Sequence, residues 1–271
     1  MPTPATSVPS VRVATWNLLH GLSTRDGSTD PARLSAAAAA LDEVDVVALQ
    51  EVDREQNRSG EVDQTAVVAE AVGAVAWRFE PALLGEPGAG PVRFHDGGRD
   101  PGGPAYGIGL TSRWPVTSWR VRRFSAAPVG LPLLVPGSGL AKIDDEPRIA
   151  ISATIAHPSG PVRVVATHLS FVPGWNLAQL RTLLSELDDE PLPVLLLGDL
   201  NLPRAVLRPF RRWTAVGPVA TYPSWHPRIQ FDHVLLRRRD RWGRGQVRAI
   251  VGEVSDHRAL LVDVHVESKP H

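Results

Sequence analysis

The chain has 271 residues with Lys plus Arg and Asp plus Glu balanced at 29 each, so no global positive field exists to draw in nucleic acid or anionic membrane unselectively. Cysteine is absent, which excludes disulfides, thiolate nucleophiles and Cys-ligated zinc and leaves oxygen and imidazole as ligand chemistry. With 43% hydrophobic and 21% charged residues and with 23 Gly and 25 Pro spread along its length, the chain is neither disordered nor collagen-like, and its length fits one large α/β unit spanning 1–271.

The N-terminal MPTPATSVPS lacks a basic start followed by an apolar core, and no apolar run approaches the roughly 20 residues of a bilayer span. Residues 1–10 therefore read as the flexible start of a soluble, cytoplasmic protein. Val11 to Trp16 is the first short apolar run of strand character. Asp30 as N-cap and Pro31 in the first turn then open a helix whose Leu34, Ala38 and Leu41 share one face. A second strand, Val46 to Leu49, precedes a helix over Thr65 to Val72 that stops before Gly73. Pro81 to Pro104 and Ser125 to Pro147, dense in Gly, Pro and small residues, read as long surface loops that shape a cleft. Between and after them, Gly107 to Thr111, Ile149 to Ile155, Val162 to Ala166, Val194 to Leu197, Val234 to Leu236 and Ala259 to Val264 read as buried strands. A third helix runs from Leu177 to Leu187 on a stripe of Leu177, Leu180, Leu184 and Leu187, and there is no internal repeat.

Polar side chains cluster at the ends of these strands. Asn17, then Gln50 and Glu51, then His168, then Asp199 and Asn201 follow apolar runs, whereas Asp232 with His233 and Asp256 with His257 precede them. If the last two strands run opposite to the others, a mixed sheet gathers every group on one edge. Any one of these residues alone is a turn former or a cap. Together, massed carboxylates repel one another unless a cation or shared protons neutralise them. The hard oxygens of Glu51, Asp256 and Asn17 suit magnesium or manganese better than zinc, and magnesium bound by few carboxylates plus substrate phosphate is the chemistry of phosphate-ester hydrolysis.

In chain order the segments ATWNLLHG, DVVALQEVDR, THLSF, GDLN, FDHVLL and SDHRALL resemble the motifs of the endonuclease/exonuclease/phosphatase superfamily of DNase I-like metal-dependent phosphodiesterases. The resemblance implies an α/β (α+β) four-layer sandwich of two packed mixed β-sheets flanked by helices. It implies a metal site of Asn17, Glu51 and Asp256 for Mg2+ or Mn2+, and an Asp199 and Asn201 pair that positions the attacking water and the phosphate. By the same resemblance His257 is general base or transition-state donor, Asp232 orients it, and His168 donates to a non-bridging phosphate oxygen. Tyr106 matches an active-site aromatic and Arg148 a basic residue near the phosphate, although each reads equally well as a packing aromatic and a surface charge. Asp53 is either a supporting group behind Glu51 or a turn former.

The substrate stays open between nucleic acid and a small or lipid phosphodiester. Arg204, Arg208, Arg211, Arg212 and Arg237, Arg238, Arg239, Arg241, Arg244, with Trp213, Trp225 and Trp242 nearby, offer backbone-tracking and stacking groups or simply solvated loops. Arg54 and Arg58 after Glu51 are candidates for a head group or for surface ion pairs, and Leu131 to Val135 for a membrane-contacting loop. A binding module that keeps the fold without turnover is the alternative from another class.

Overall fold

The structure, a computed structural model, describes residues 10–87, 91–135, 139–158, 160–240 and 242–266. The N-terminal segment expected to be flexible lies outside these residues except for Ser10, and Arg241 also lies outside them. In chain order the strands are β1 (Ser10–Asn17), β2 (Val46–Arg54), β3 (Ala76–Leu84), β4 (Arg93–Phe94), β5 (Ala105–Ser112), β6 (Val116–Phe124), β7 (Leu131–Val135) and β8 (Gly139–Ile143). They continue as β9 (Arg148–His157), β10 (Gly160–His168), β11 (Val194–Asp199), β12 (Trp213–Ala215), β13 (Asp232–Arg237), β14 (Trp242–Ile250) and β15 (Ala259–Val266). Three α-helices, α1 (Pro31–Ala39), α2 (Gln64–Ala71) and α3 (Trp175–Asp188), complete the frame.

Two mixed sheets carry the fold, one ordered β14-β15-β1-β2-β5-β3-β4 and the other β12-β13-β11-β10-β9-β6. Each contains one parallel pair, β1 with β2 and β10 with β11. Strand alternation sends every second residue inward. Val11, Val13, Leu110, Val262 and Val264 of the first sheet pack on Ile151, Ile155, Val164, Leu195, Leu197 and Leu236 of the second. The outer face of the first sheet buries Ala14, Trp16 and Leu49 under Leu34 and Ala38 of α1, Val68 of α2 and Val72 at the α2 C-terminus. The outer face of the second buries Val165, Leu196 and Leu235 under Leu180, Leu183, Leu184 and Leu187 of α3. The result is the expected four-layer α+β sandwich. Asp30 caps α1 by accepting from Ala32 N at 2.8 Å, and Asp63 caps α2 from Thr65 N at 2.9 Å.

Several expectations need correction. The segment 81–104 is not all loop, since β3 runs through Pro81 to Leu84 and pairs with β4. The segment 125–147 contains the β7–β8 hairpin, of which Leu131 to Val135 is one strand. The buried stripe of α3 uses Leu183, with Leu177 only half-buried. β6 and β14 are strands that carry no apolar run: both sit at a sheet edge, where one face is solvated and arginine discourages edge-to-edge pairing.

The arginines after the FDH strand are not uniformly solvated. Arg237 is 2% exposed and donates to Leu187 O at 2.6 Å, Glu190 O at 2.8 Å, Leu192 O at 2.6 Å and Asp240 Oδ1 at 2.8 Å. It satisfies carbonyls left over at the C-terminal end of α3, where a cation is also favoured by the helix dipole. Arg204 likewise donates to Ala215 O and Gly217 O, and Arg212 pairs with Asp188. Arg237→Met strips these partners from buried groups and is expected to lower the unfolding free energy by about 3 kcal/mol or more. Urea unfolding reads this directly, and an unchanged midpoint would contradict the capping role.

Candidate active site

The strand directions place the polar termini on one edge. β13 runs antiparallel to β11 with Asp199 opposite Asp232, β10 runs parallel to β11 with His168 opposite Asp199, and β15 runs antiparallel to β1. Asn17, His168, Asp199 and Asp232 therefore project from strand ends into the gap between the two sheets.

Glu51 reaches the same gap by a different device. Leu49 pairs with Gly109 but Val52 pairs with Gly107, a one-residue bulge, and Glu51 itself adopts φ +53°. Leu49 and Val52 both pack on the outer face under the helices, so the bulge absorbs one step of the alternation and lets Gln50 and Glu51 both turn inward. Asn201 (φ +49°) and Ser255 (φ +74°) are also left-handed without being glycine. Such backbone costs roughly 1–3 kcal/mol per residue and persists where surroundings over-determine it. Here they do: Asn201 N donates to Asp199 Oδ1 at 2.9 Å, and Ser255 Oγ donates to Asn17 O at 2.6 Å and accepts from His257 N at 2.9 Å. Gly198 is required for another reason, because a Cβ there would overlap the backbone oxygen of Thr167 on the adjacent strand.

Glu51, Tyr106, Arg148, His168, Asp199, Asn201, Asp256 and His257 line a single cleft of about 450 Å³, with Asn17 and Asp232 directly behind it. Asp199 Oδ2 is its focus, 3.1 Å from Asn17 Nδ2 and 3.8 Å from both His168 Nε2 and His257 Nε2. Burial pushes the Asp199 carboxyl up, but the two imidazoles, the Asn201 N–H and the Asn17 amide outweigh it and leave the pKa below its ordinary value. His257 Nδ1 donates to Asp232 Oδ2 at 2.8 Å, and Thr221 Oγ1 donates to the same oxygen at 2.5 Å. Burial works against charge on His257, yet Asp232, Asp199 and Asp256 together raise it to about 10. Glu51 is raised to about 7, first by burial and then by Asp256 and Asp199, with the Asn17 amide pulling the other way.

Two groupings compete as a metal seat. Ligand atoms of Asp199, Asp232 and His257 lie within 4.8 Å of one another; Asp232 Oδ2 is engaged by Thr221 and His257 while its buried Oδ1 has no hydrogen-bond partner. Glu51 and Asp256 instead face the open cleft, each is raised by burial and by the Asp199 charge, with Asp256 adding to the rise at Glu51, and both have the His257 imidazole as their cationic neighbour. Hard carboxylate oxygens in excess of local positive charge fit a divalent ion. Asn17, expected among the ligands, turns its amide nitrogen to Glu51 Oε1 at 2.8 Å and its oxygen to Leu19 N at 3.0 Å.

Arg148 is 4% exposed rather than a surface charge. It pairs with Asp145 and Glu146 at 3.1 Å each. Asp53 is fully buried and bound by Arg58 Nη2 at 2.7 Å and Ser59 Oγ at 2.9 Å, while the Arg58 guanidinium sits 5.7 Å from the Tyr106 ring centre. Asp53 thus supports the cleft wall, and Arg54 is tied to Asp100. Sequence reasoning missed Asp144, Glu146, Phe171, Tyr222 and Phe231 in the lining; Tyr222 stacks 4.9 Å from His257. All are loop residues or residues just outside a strand, and the aromatic character of the TYP and LSF segments was the available signal.

A two-sheet sandwich with this site defines a phosphoester hydrolase class, and the comparisons with known proteins agree. The chain belongs to the Endonuclease/Exonuclease/phosphatase family, whose profile matches residues 14–257. An endonuclease/exonuclease/phosphatase from Beutenbergia cavernae DSM 12333 is similar with a TM-score of 0.70 and 24% identity, over 96% of this chain and 72% of that one. The human nocturnin catalytic domain with bound sulfate anion is similar with a TM-score of 0.58 and 16% identity, over 96% of each chain. D. rerio TDP2 complexed with single strand DNA product is similar with a TM-score of 0.57 and 16% identity, over 95% of this chain and 99% of that one. These likenesses show the fold. No curated protein matches the sequence. Among the described residues, no helix is long and apolar enough to cross a membrane.

The His257–Asp232 pair has a consequence for stability. A histidine raised from 6.5 to about 10 on folding contributes stability that is full below pH 6.5 and is lost as pH rises toward 10. The urea midpoint of the metal-free protein is expected to fall between pH 7 and 9. Asp232→Asn should start lower at pH 7 and lose less over that interval; an equally steep alkaline limb would place its origin elsewhere.

Proposed function

We propose that the chain, acting as one unit, is a magnesium- or manganese-dependent phosphodiesterase that hydrolyses a phosphate ester by in-line attack of water. The observation that carries this reading is the convergence of an ionised Asp199, a protonated His257 and His168 on one point of an acid-lined cleft. Glu51 and Asp256 hold the ion, and Asn17 steadies Glu51. When bound, such an ion neutralises the carboxylates and stabilises charge growing on the phosphate oxygens. Asp199 orients the attacking water and accepts its proton. His257, kept charged by Asp232, is a donor to the phosphorane-like transition state rather than a base, because its proton stays bound at neutral pH. Asn201 and His168 bind phosphate oxygens, Arg148 backs His168 from behind, and Tyr106 walls the cleft beside Glu51.

A small or lipid phosphodiester is favoured over nucleic acid as substrate. Arg237 lies at the opposite end of β13 from Asp232, about 16 Å along the strand, and Arg204 and Arg212 are committed to carbonyls and to Asp188. The cleft itself holds one guanidinium against Glu51, Asp144, Glu146, Asp199 and Asp256. Among the described residues lining the cleft Arg148 is the one guanidinium, so a polynucleotide would bring further phosphates to a predominantly acidic cleft.

The test is turnover of bis-p-nitrophenyl phosphate, then of plasmid DNA and of a lipid head-group diester. Asp199→Ala and His257→Ala are each expected to lower the rate by about a hundredfold or more with the fold intact by circular dichroism. Excess chelator should abolish turnover and magnesium or manganese restore it; full activity in chelator overturns the reading, and activity on none of these substrates revives a non-catalytic binding module. Ion binding also displaces a proton. With Glu51 at about 7, magnesium added at pH 6.5 should release up to about three quarters of a proton from this group, and Glu51→Gln should not show that release.

A further inference from the structure

His168 stands between two hydrogen-bond donors. Arg148 Nη1 lies 3.2 Å from its Nδ1, and the Asn201 amide nitrogen lies 3.3 Å from its Nε2. Burial first, and the Arg148 charge second, hold this imidazole down at about 3, so it is neutral across the physiological range. A neutral imidazole has one N–H and one lone pair, whereas a guanidinium has donors only. The ring therefore accepts from Arg148 or from Asn201, and not from both.

Three observations decide between them. The Arg148 bond is charge-assisted and the Asn201 bond is not, and charge-assisted bonds are roughly twice as strong. The guanidinium is aimed from behind: Nη2 donates to Asp145 Oδ1 at 3.1 Å and Nη1 meets Glu146 Oε1 at 3.1 Å. Asp145 is itself clamped through its other oxygen by Ala127 N at 2.7 Å and Ser170 Oγ at 2.8 Å. The Asn201 amide, by contrast, already donates one hydrogen to Leu169 O at 3.0 Å.

We infer that Arg148 is a positioning residue that fixes His168 in the Nε2–H tautomer, so that this N–H and the second amide hydrogen of Asn201 converge on one point of the cleft. Among the described residues no protein acceptor fills that point, since the Asp199 carboxylate is 3.8 Å from Nε2, beyond hydrogen-bond reach. Two unanswered donors side by side make a seat for an anionic oxygen, and a non-bridging phosphate oxygen fits it. Only the identity of the anion rests on the proposed phosphodiesterase reading; the tautomer does not. In this arrangement Arg148 acts on the phosphate through the histidine, and its own charge is balanced by Asp145 and Glu146.

Two-bond 1H–15N correlation spectra of the uniformly labelled full-length protein test this, with the His168 ring assigned by its loss in His168→Gln. At pH 7 the Nδ1 resonance is expected in the lone-pair range and Nε2 in the protonated range, unchanged from pH 5 to 8. The opposite tautomer, or conversion to imidazolium within that range, overturns the inference without any Arg148 variant being needed. Arg148→Met should turn the ring over and weaken binding of inorganic phosphate, with magnesium present, by about tenfold or more. Arg148→Lys, which keeps a charged donor, should retain the Nε2–H form. An Arg148→Met protein that keeps both tautomer and phosphate affinity refutes the positioning role, and absence of turnover on any diester would sink the enzymatic reading while leaving the tautomer measurement intact.

Discussion

Glu51, Asp199 and Asp256 are brought together in one cleft, where burial and the Asp199 charge make both Glu51 and Asp256 harder to ionise and the Asp256 charge adds to the effect on Glu51. Like charges in a partly buried site oppose one another's ionisation. Everything around the carboxylates answers that problem locally. The Asn17 amide bridges Glu51 and Asp199, two imidazoles face Asp199, and His257 holds a proton that Asp232 stabilises from the far side. These devices leave Asp199 ionised but Glu51 and Asp256 under-neutralised, and on the proposed reading that asymmetry separates a water-orienting carboxylate from the carboxylates that hold a cation.

The sheets are what make such crowding affordable. A carboxylate on a mobile loop would swing away from its neighbours, whereas Asp199 and Asp232 are opposed across a hydrogen-bonded strand pair and His168 is fixed on the other flank of the same strand. Glu51, Asn201 and Ser255 lie where regular strand geometry fails, and each adopts a left-handed backbone that an Asn or Ser tolerates better than a Glu does. The strain at Glu51 is carried by a bulge between two strands whose outer faces are sealed under α1 and α2. The interior packing thus supplies the rigidity, and the irregular residues spend it.

How much of this was readable beforehand follows from which parts are periodic. Apolar runs ending in His168 and Asp199, and beginning after Asp232, placed those groups on one edge once the return strands were taken as antiparallel. The helix cap at Asp30 likewise follows from local pattern, whereas the layer architecture was implied by the motif resemblance. Strand alternation separates Asp232 from its neighbour His233, which points the other way and bonds Leu202 O at 2.8 Å, and adjacency in sequence hid this. Asp145, Glu146 and Tyr222 sit on loops, whose course depends on contacts distant in sequence, so no spacing announced them. Arg237 misled for a related reason: in a run of three arginines, only the tertiary position at the end of α3 distinguishes the buried member from its exposed neighbours.

The placement of positive charge also sets the terms on which an anion enters. Arg148 is the cleft's guanidinium, and Asp145 and Glu146 cancel its charge while leaving its directional N–H groups in use. It therefore contributes geometry more than field. With the carboxylates ionised and no cation added, the potential in the cleft opposes a phosphate, and neutral donors such as His168 and Asn201 gain little from a ligand that is repelled before it arrives. On the proposed reading, affinity for phosphate is conditional on charge balance at Glu51 and Asp256, while selectivity among phosphates is left to the neutral donors and to the aromatic walls of Tyr106, Phe171, Tyr222 and Phe231. A site divided in this way discriminates by the shape of what is attached to the phosphate, since net charge has been taken out of the comparison.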